Sequence, residues 1–383
     1  MGETARSGVA LKAELLANGV RPTPAFLAAY GPPYLSKRRA YGNPDDLGII
    51  GQRIPQEMYL LPERLICSVN VRSDSGWLLD WSHEEGFFIR FDERTTPISF
   101  PVTPGFYTAL LEDGRPVRSV VTLYGGASLG IFVHGNCSLV DMGKACQYCS
   151  ISPNRSREQE FPLVVTRELL SSALAVALAD RTCHFSQVMI NGGNFRDPDR
   201  SFLYYARLCQ SARRALDEAG RDDIELHLIV YPPADLELLK ELAGLNLSVA
   251  MNMEVFDPAL FQRFCPGKNA VLGQLHALKA LTRAAEILGA GNVFSILVGG
   301  LESQESMDQG MARLAGEGVI PVINVFHPDP ETPLAMRPAP PASRILEMGR
   351  SLQAVFSETT FARPFYLGCG RNSLDTEAYY QMF

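Results

Sequence analysis

The chain has 383 residues, 46% of them hydrophobic and 20% charged, with a net charge of −7. That is a globular composition, long enough for one α/β barrel with additions, and its acidic balance argues against a nucleic-acid partner, whose footprint would be basic. The N-terminus lacks a signal-peptide core, carries Arg6 where a myristoylation signal needs Ser or Thr, and no apolar run reaches the ~20 residues of a membrane span; the expectation is a cytoplasmic protein with no membrane partner.

Residues 1–60 hold a short helical pattern, Leu11 to Leu16, then the Pro/Gly/charge-rich stretch GPPYLSKRRAYGNPDD, read as a surface arm. Residues 61–128 are β-rich, with ERLICSVNVRS, GFFIRFD and RSVVTLYG separated by Asp, Gly and Pro breaks, and are expected to form an appended sheet. From 129 a strand–helix rhythm begins. Six continuous apolar runs start at 129, 187, 224, 247, 292 and 321, as parallel strands buried on both faces would read. Helical stretches lie between them: TRELLSSALAVALADR with Thr166 as a cap, SFLYYARLCQSARRAL, ADLELLKELA, VLGQLHALKALTRAAEIL and ESMDQGMARLAGEG. Successive βα units predict an α/β fold: a partial (β/α)6 TIM-type barrel over 129–340, with the N-terminal β-rich region appended and a helix and tail (341–383) closing it. A doubly wound sheet is the alternative, but no G-x-G-x-x-G follows the first strand.

Chemistry in such barrels sits at the C-terminal strand ends, and unusual residues cluster there: His134-Gly-Asn-Cys137, Asn191-Gly-Gly-Asn194, Asn252-Met-Glu254, Gly299-Gly-Leu-Glu302 and Asn324-Val-Phe-His327-Pro-Asp329. Of eight cysteines, too few for a disulfide scaffold, three fall in the run Cys137-x8-Cys146-x2-Cys149. Three thiolates on one loop bind an iron–sulfur cluster with one iron left open, or, with His134 as a fourth donor, a structural zinc. A structural zinc has no reason to sit just after strand one on the active face.

With these residues on successive strands, the chain resembles the radical S-adenosylmethionine superfamily, in its biotin-synthase-like form. The superfamily's C-x3-C-x2-C signature on the same loop has an aromatic before the last cysteine, here Tyr148; the first spacing is eight instead of three. Gly192-Gly193-Asn194 matches the GGE motif, with Asn for Glu. Asn252-Met253-Glu254 resembles a ribose-binding segment, Ser295 to Glu302 a G-x-I-x-G-x-x-E pattern, and the segment around Thr332 a G-T-P-L pattern.

The resemblance implies a [4Fe–4S] cluster on Cys137, Cys146 and Cys149, with S-adenosylmethionine at the open iron. Reductive cleavage would then yield a 5′-deoxyadenosyl radical that takes a hydrogen atom from a small-molecule substrate. It places Tyr148 near the adenine, Gly192, Gly193 and Asn194 at the amino group, Asn252 and Glu254 at the ribose, Lys268 at the methionyl carboxylate, and Gly299 and Glu302 in adenine packing and barrel support. It also implies an electron donor such as flavodoxin or ferredoxin. His327 and Asp329 at the end of strand six are the candidate substrate contacts, and Cys369 in the tail a candidate thiol reaching the barrel. No cysteines on strands two, three or five, no string of C-x2-C pairs and no D-x-H-x-x-G segment point to a one-cluster enzyme without cobalamin. The GC-rich flavour of the composition hints at bacterial specialised metabolism.

Overall fold

The computed structural model describes residues 3–35, 37–38, 53–157, 161–366 and 370–383. Six parallel strands occupy the apolar runs read from the sequence: Ser128–Phe132, Gln187–Asn191, Glu225–Ile229, Leu247–Ala250, Val293–Gly299 and Ile320–Val325, here barrel strands one to six. Each pairs with the next in chain order, and among the described residues strand six pairs with strand five but not with strand one. A doubly wound sheet reverses its order at a switch point; this one never reverses, so the sheet is an open partial barrel.

Between strands lie Arg167–Ala179, capped by Thr166, whose hydroxyl accepts from Leu169 N at 3.2 Å, then Pro198–Glu218, Gln274–Leu288 and Gln304–Gly316. Two differences from the sequence reading are local. Leu236–Leu242 is 3₁₀ rather than α. Two short Pro-started helices, Pro258–Phe264 and Pro266–Val271, precede Gln274–Leu288; each is too short to show a helical period.

The N-terminal region departs further. Helix Glu3–Asn18 contains the helical pattern read at Leu11 to Leu16 and buries Val9, Ala13, Leu15 and Leu16. Most of the Pro/Gly/charge-rich stretch lies outside the described residues. A six-stranded sheet runs in the order Arg21–Pro22, Leu78–Ser82, Gly86–Phe91, Arg94–Ser99, Glu57–Leu60, Leu65–Ser68. The last strand of the expected appended sheet, Val121–Tyr124, belongs instead to the barrel, antiparallel to strand one. Alternation identified a strand there but not its partner.

The tail closes the open side. Val325 N donates to Asn372 O at 2.9 Å and Leu374 N to Ile323 O at 3.1 Å, pairing the tail with strand six, while Ser68 N donates to Arg371 O at 3.2 Å from the other sheet. An unpaired edge is thereby covered. Lys12, fully buried on the first helix, holds this tail: its ammonium donates to Ser373 O at 2.8 Å, Gly370 O at 3.3 Å and Glu377 at 2.5 Å. Residues 363–366 plug the barrel's N-terminal end, where Gln187 Nε2 donates to Phe365 O at 3.0 Å and Arg363 pairs with Glu225 at 2.8 Å.

Candidate active site at the C-terminal strand ends

The cysteine loop is clamped by the loops after strands two, four and six. Ser138 N donates to Asn194 O at 2.9 Å and Gly193 N to His134 O at 2.9 Å. Gly193 lies so close that a Cβ would stand 1.7 Å from Asn136 O, and Gly192 takes φ +154. The close backbone approach at Gly193 is made to the cysteine loop. After strand four, Gln147 N donates to Phe264 O at 2.8 Å, and a Cβ on Gly267 would meet Lys144 O at 2.4 Å. After strand six, Leu334 N donates to Gln147 O at 3.3 Å.

Cys149 is exposed, and Cys137 and Cys146 are half-buried. Among the described residues no three His, Cys, Asp or Glu side chains converge at single-ion spacing. Ligands of a cubane cluster each bind a different iron, so their sulfurs stand farther apart than the donors of one ion. The loop thiols are not poised alike: the Cys149 thiol is pushed up to about 12, first by desolvation and then by Cys146. The Cys265 thiol hydrogen-bonds Cys146 and, with the Lys268 ammonium, holds the Cys146 thiol below its ordinary value against the opposing effect of burial; Cys265 itself is pushed far up. Nothing in the spacing of Cys265 distinguished it from a packing cysteine. His134, the fourth donor of the zinc alternative, stacks on Phe195 with ring centroids 4.4 Å apart, and burial lowers its pKa.

Tyr148 packs with Cys146 against a satellite cluster of Val255, Phe261, Phe264, Cys265, Val298, Leu301 and Phe326, its hydroxyl 3.6 Å from Cys265 Sγ. Asn252 Oδ1 accepts from Ile296 N at 3.3 Å. Lys268 is not the solvated lysine that its surroundings in sequence allow. It is mostly buried, pairs with Glu254 at 2.6 Å and donates to Asn252 O at 3.2 Å. Burial alone would lower its pKa; the Glu254 carboxylate and the Cys146 and Cys265 sulfurs outweigh burial and hold it charged.

Two residues expected at the cofactor are committed elsewhere. Glu302 accepts from Phe256 N at 3.0 Å, Asp257 N at 2.9 Å and Ser306 Oγ at 2.6 Å, so it ties the strand-five loop to the strand-four loop; of its two expected roles this is barrel support. A Cβ on Gly299 would stand 2.8 Å from Ile323 and 2.9 Å from Met348 of helix Ala342–Glu358, so this glycine serves strand–helix packing. Cys369 lies outside the described residues.

His327 and Asp329 meet, Nδ1 to Oδ1 at 3.0 Å, and Ser150, the residue after the last loop cysteine, donates to Asp329 Oδ2 at 2.6 Å. His327 also lines a chamber of about 180 Å³ with residues the sequence reading missed. A larger cavity of about 600 Å³ opens at the opposite, N-terminal strand ends around Asp222, Glu225 and Arg363. Its size does not make it the site, because chemistry in such barrels lies at the other face.

No family model matches the chain. What site and fold describe is a partial (β/α)6 barrel with three cysteines on the loop after strand one. The chain is 27% identical over 259 residues to bacteriochlorophyllide c C-7(1)-hydroxylase of Chlorobaculum limnaeum, covering 64% of each chain. It thus spans somewhat under two thirds of that relative's length. Solved structures similar to it include HydG, a maturase of the [FeFe]-hydrogenase (14% identity, TM-score 0.44, 68% of this chain and 59% of that one), and methylornithine synthase PylB (14%, 0.43, 70% and 79%). Among the described residues no helix is long and apolar enough to cross a membrane.

Proposed function

We propose that this chain is a radical S-adenosylmethionine enzyme acting on a small molecule. The observation that carries the reading is the clamping of Cys137–Cys149 onto three C-terminal strand-end loops. Cys137, Cys146 and Cys149 would hold a [4Fe–4S] cluster. With S-adenosylmethionine bound there, a reduced cluster would supply the one electron that splits it into methionine and a 5′-deoxyadenosyl radical able to take a hydrogen atom from a substrate.

The chain's own residues position and exclude. Gly192, Gly193 and Asn194 present backbone to the amino group of S-adenosylmethionine. Asn252 and Glu254 meet the ribose, and Lys268 fixes the Glu254 carboxylate through the 2.6 Å pair; this positioning role replaces the expected contact with the methionyl carboxylate. Tyr148 and the satellite cluster keep water from the adenine side. His327, oriented by Asp329, faces the substrate chamber. An electron carrier such as flavodoxin or ferredoxin would deliver the electron at the exposed side of Cys149. Hydroxylation at carbon, the reaction named for the relative, also requires breaking a C–H bond.

Single Cys→Ala variants test the ligand set. Each of Cys137, Cys146 and Cys149 replaced by Ala should lose most iron after anaerobic reconstitution, while Cys209→Ala, at a buried cysteine outside the Cys137–Cys149 run, keeps it. Retention of full iron by all three variants would overturn the assignment.

A further inference from the structure

The chamber of about 180 Å³ is assembled from four segments distant in sequence. Gln56 and Ser68 come from the N-terminal sheet, Tyr124 from the antiparallel edge strand, Asn324 and His327 from the end of barrel strand six, and Arg371 and Asn372 from the tail. Its wall carries amides, a hydroxyl, an imidazole, a phenol and a guanidinium and, among the described residues, no aliphatic side chain and no carboxylate.

Arg371 is held in a fixed plane. Its guanidinium lies over the Tyr124 ring, 4.2 Å from the centroid, and NH1 reaches Gln56 Oε1 at 3.1 Å and the buried Glu57 Oε2 at 3.5 Å. Glu57 is not among the lining residues, so it balances the guanidinium without entering the chamber. A planar guanidinium immobilised in this way matches a carboxylate better than a flexible ammonium does. Asn372 adds a second mark. Its Oδ1 is buried without a hydrogen-bond partner among the described residues, and buried acceptors in folded proteins are normally satisfied. A ligand that brings a donor to this point completes the wall. The third mark is position: His327 connects through Asp329 to Ser150, adjacent to Cys149.

We propose that this chamber takes the acid end of the substrate. The ligand is a small molecule carrying a carboxylate, bound by Arg371, and a nearby hydrogen-bond donor, a hydroxyl or an ammonium, bound by Asn372 Oδ1. The volume, roughly six waters' worth, fits such a fragment and not a macrocycle. This assignment rests on the proposed radical function for its place in a reaction, but not for its binding chemistry.

Calorimetric titration of the full, anaerobically reconstituted protein tests it with four probes. 3-Hydroxybutyrate and L-threonine carry both features, butyrate only the carboxylate, and methyl 3-hydroxybutyrate only the donor. At least one of the first two should bind, with butyrate and the ester at least 5-fold weaker. Arg371→Lys, which keeps the charge and loses the fork, should weaken that binding at least 10-fold, and Asn372→Leu at least 5-fold. The probe comparison on the unaltered protein does not depend on either variant folding. No binding by either two-feature probe, an ester as tight as the acid, or unchanged affinity in Arg371→Lys would overturn the proposal. Iron content and 5′-deoxyadenosine formation on the same samples separate the two readings. Acid binding without iron or deoxyadenosine defeats the radical function alone; both of these without acid binding defeats the chamber alone.

Discussion

Glu254 takes φ +65, in the left-handed region that costs a non-glycine residue about 1–3 kcal/mol, and from there its carboxylate meets the Lys268 ammonium. His227 behaves differently. It lies inside the barrel between Phe294 and Phe365, with Nδ1 2.6 Å from Ser248 Oγ, which in turn donates to Glu225 at 2.6 Å. Burial lowers its pKa to about 4, Glu225 opposing and Arg363 reinforcing the shift. An unfolded histidine titrates near 6.5, so the unfolded chain gains this proton first as pH falls. The folded state should therefore lose about 3 kcal/mol of stability from this group as pH drops from about 6.5 to 4. Denaturant midpoints across that window should fall less steeply in His227→Gln than in the unaltered chain; equal slopes would contradict the argument. At this scale the sequence offers candidate residues and not their partners. Lys268 and Glu254 stand 14 positions apart on different elements, and nothing in the local pattern pairs them. Glu302 reads as an active-face carboxylate until the fold brings three donors to it.

The βα rhythm was legible because buried parallel strands are uniformly apolar and their helices long enough to show a 3.6-residue period. Strand Val121–Tyr124 was legible as a strand and misassigned to the other sheet, since alternation carries no information about the neighbour. The element contact that matters most is the one between the strand-two loop and the cysteine loop. Gly193→Ala places a methyl group 1.7 Å from Asn136 O and forces the two loops apart. Overpacking of this kind costs about 1–3 kcal/mol. We expect Gly193→Ala to take up less than half the iron of the unaltered chain. Gly316→Ala, at an exposed helix end with nothing within 4 Å of the new methyl, should take up the full amount. Equal uptake in both variants would show that the loop contact does not shape the cluster site.

Across the whole molecule, the chain's two ends meet. Lys12 and Glu377 form a buried pair 365 residues apart, and Lys12 also caps two tail carbonyls that flank Arg371 and Asn372. No sequence pattern reveals such a pair, nor a chamber built from positions 56 to 372. Lys12→Met strands the Glu377 carboxylate, a loss of about 3–5 kcal/mol for a broken buried pair. Lys12→Met with Glu377→Leu should recover a large part of it, because both charges are then gone. Chemical denaturation of the two variants checks this; a double variant no more stable than Lys12→Met would mean the pair is not the unit.

The central claim, that this partial barrel is built to hold a cluster and S-adenosylmethionine, is tested most directly by one anaerobic preparation. The reconstituted protein is assayed for iron, sulfide and zinc, and then for 5′-deoxyadenosine after addition of S-adenosylmethionine and dithionite. The account predicts roughly four irons on the three loop cysteines, set by the cluster type, and deoxyadenosine that appears only with the reductant. Stoichiometric zinc, with no iron chromophore and no deoxyadenosine, would contradict it and make the cysteine loop a structural clasp.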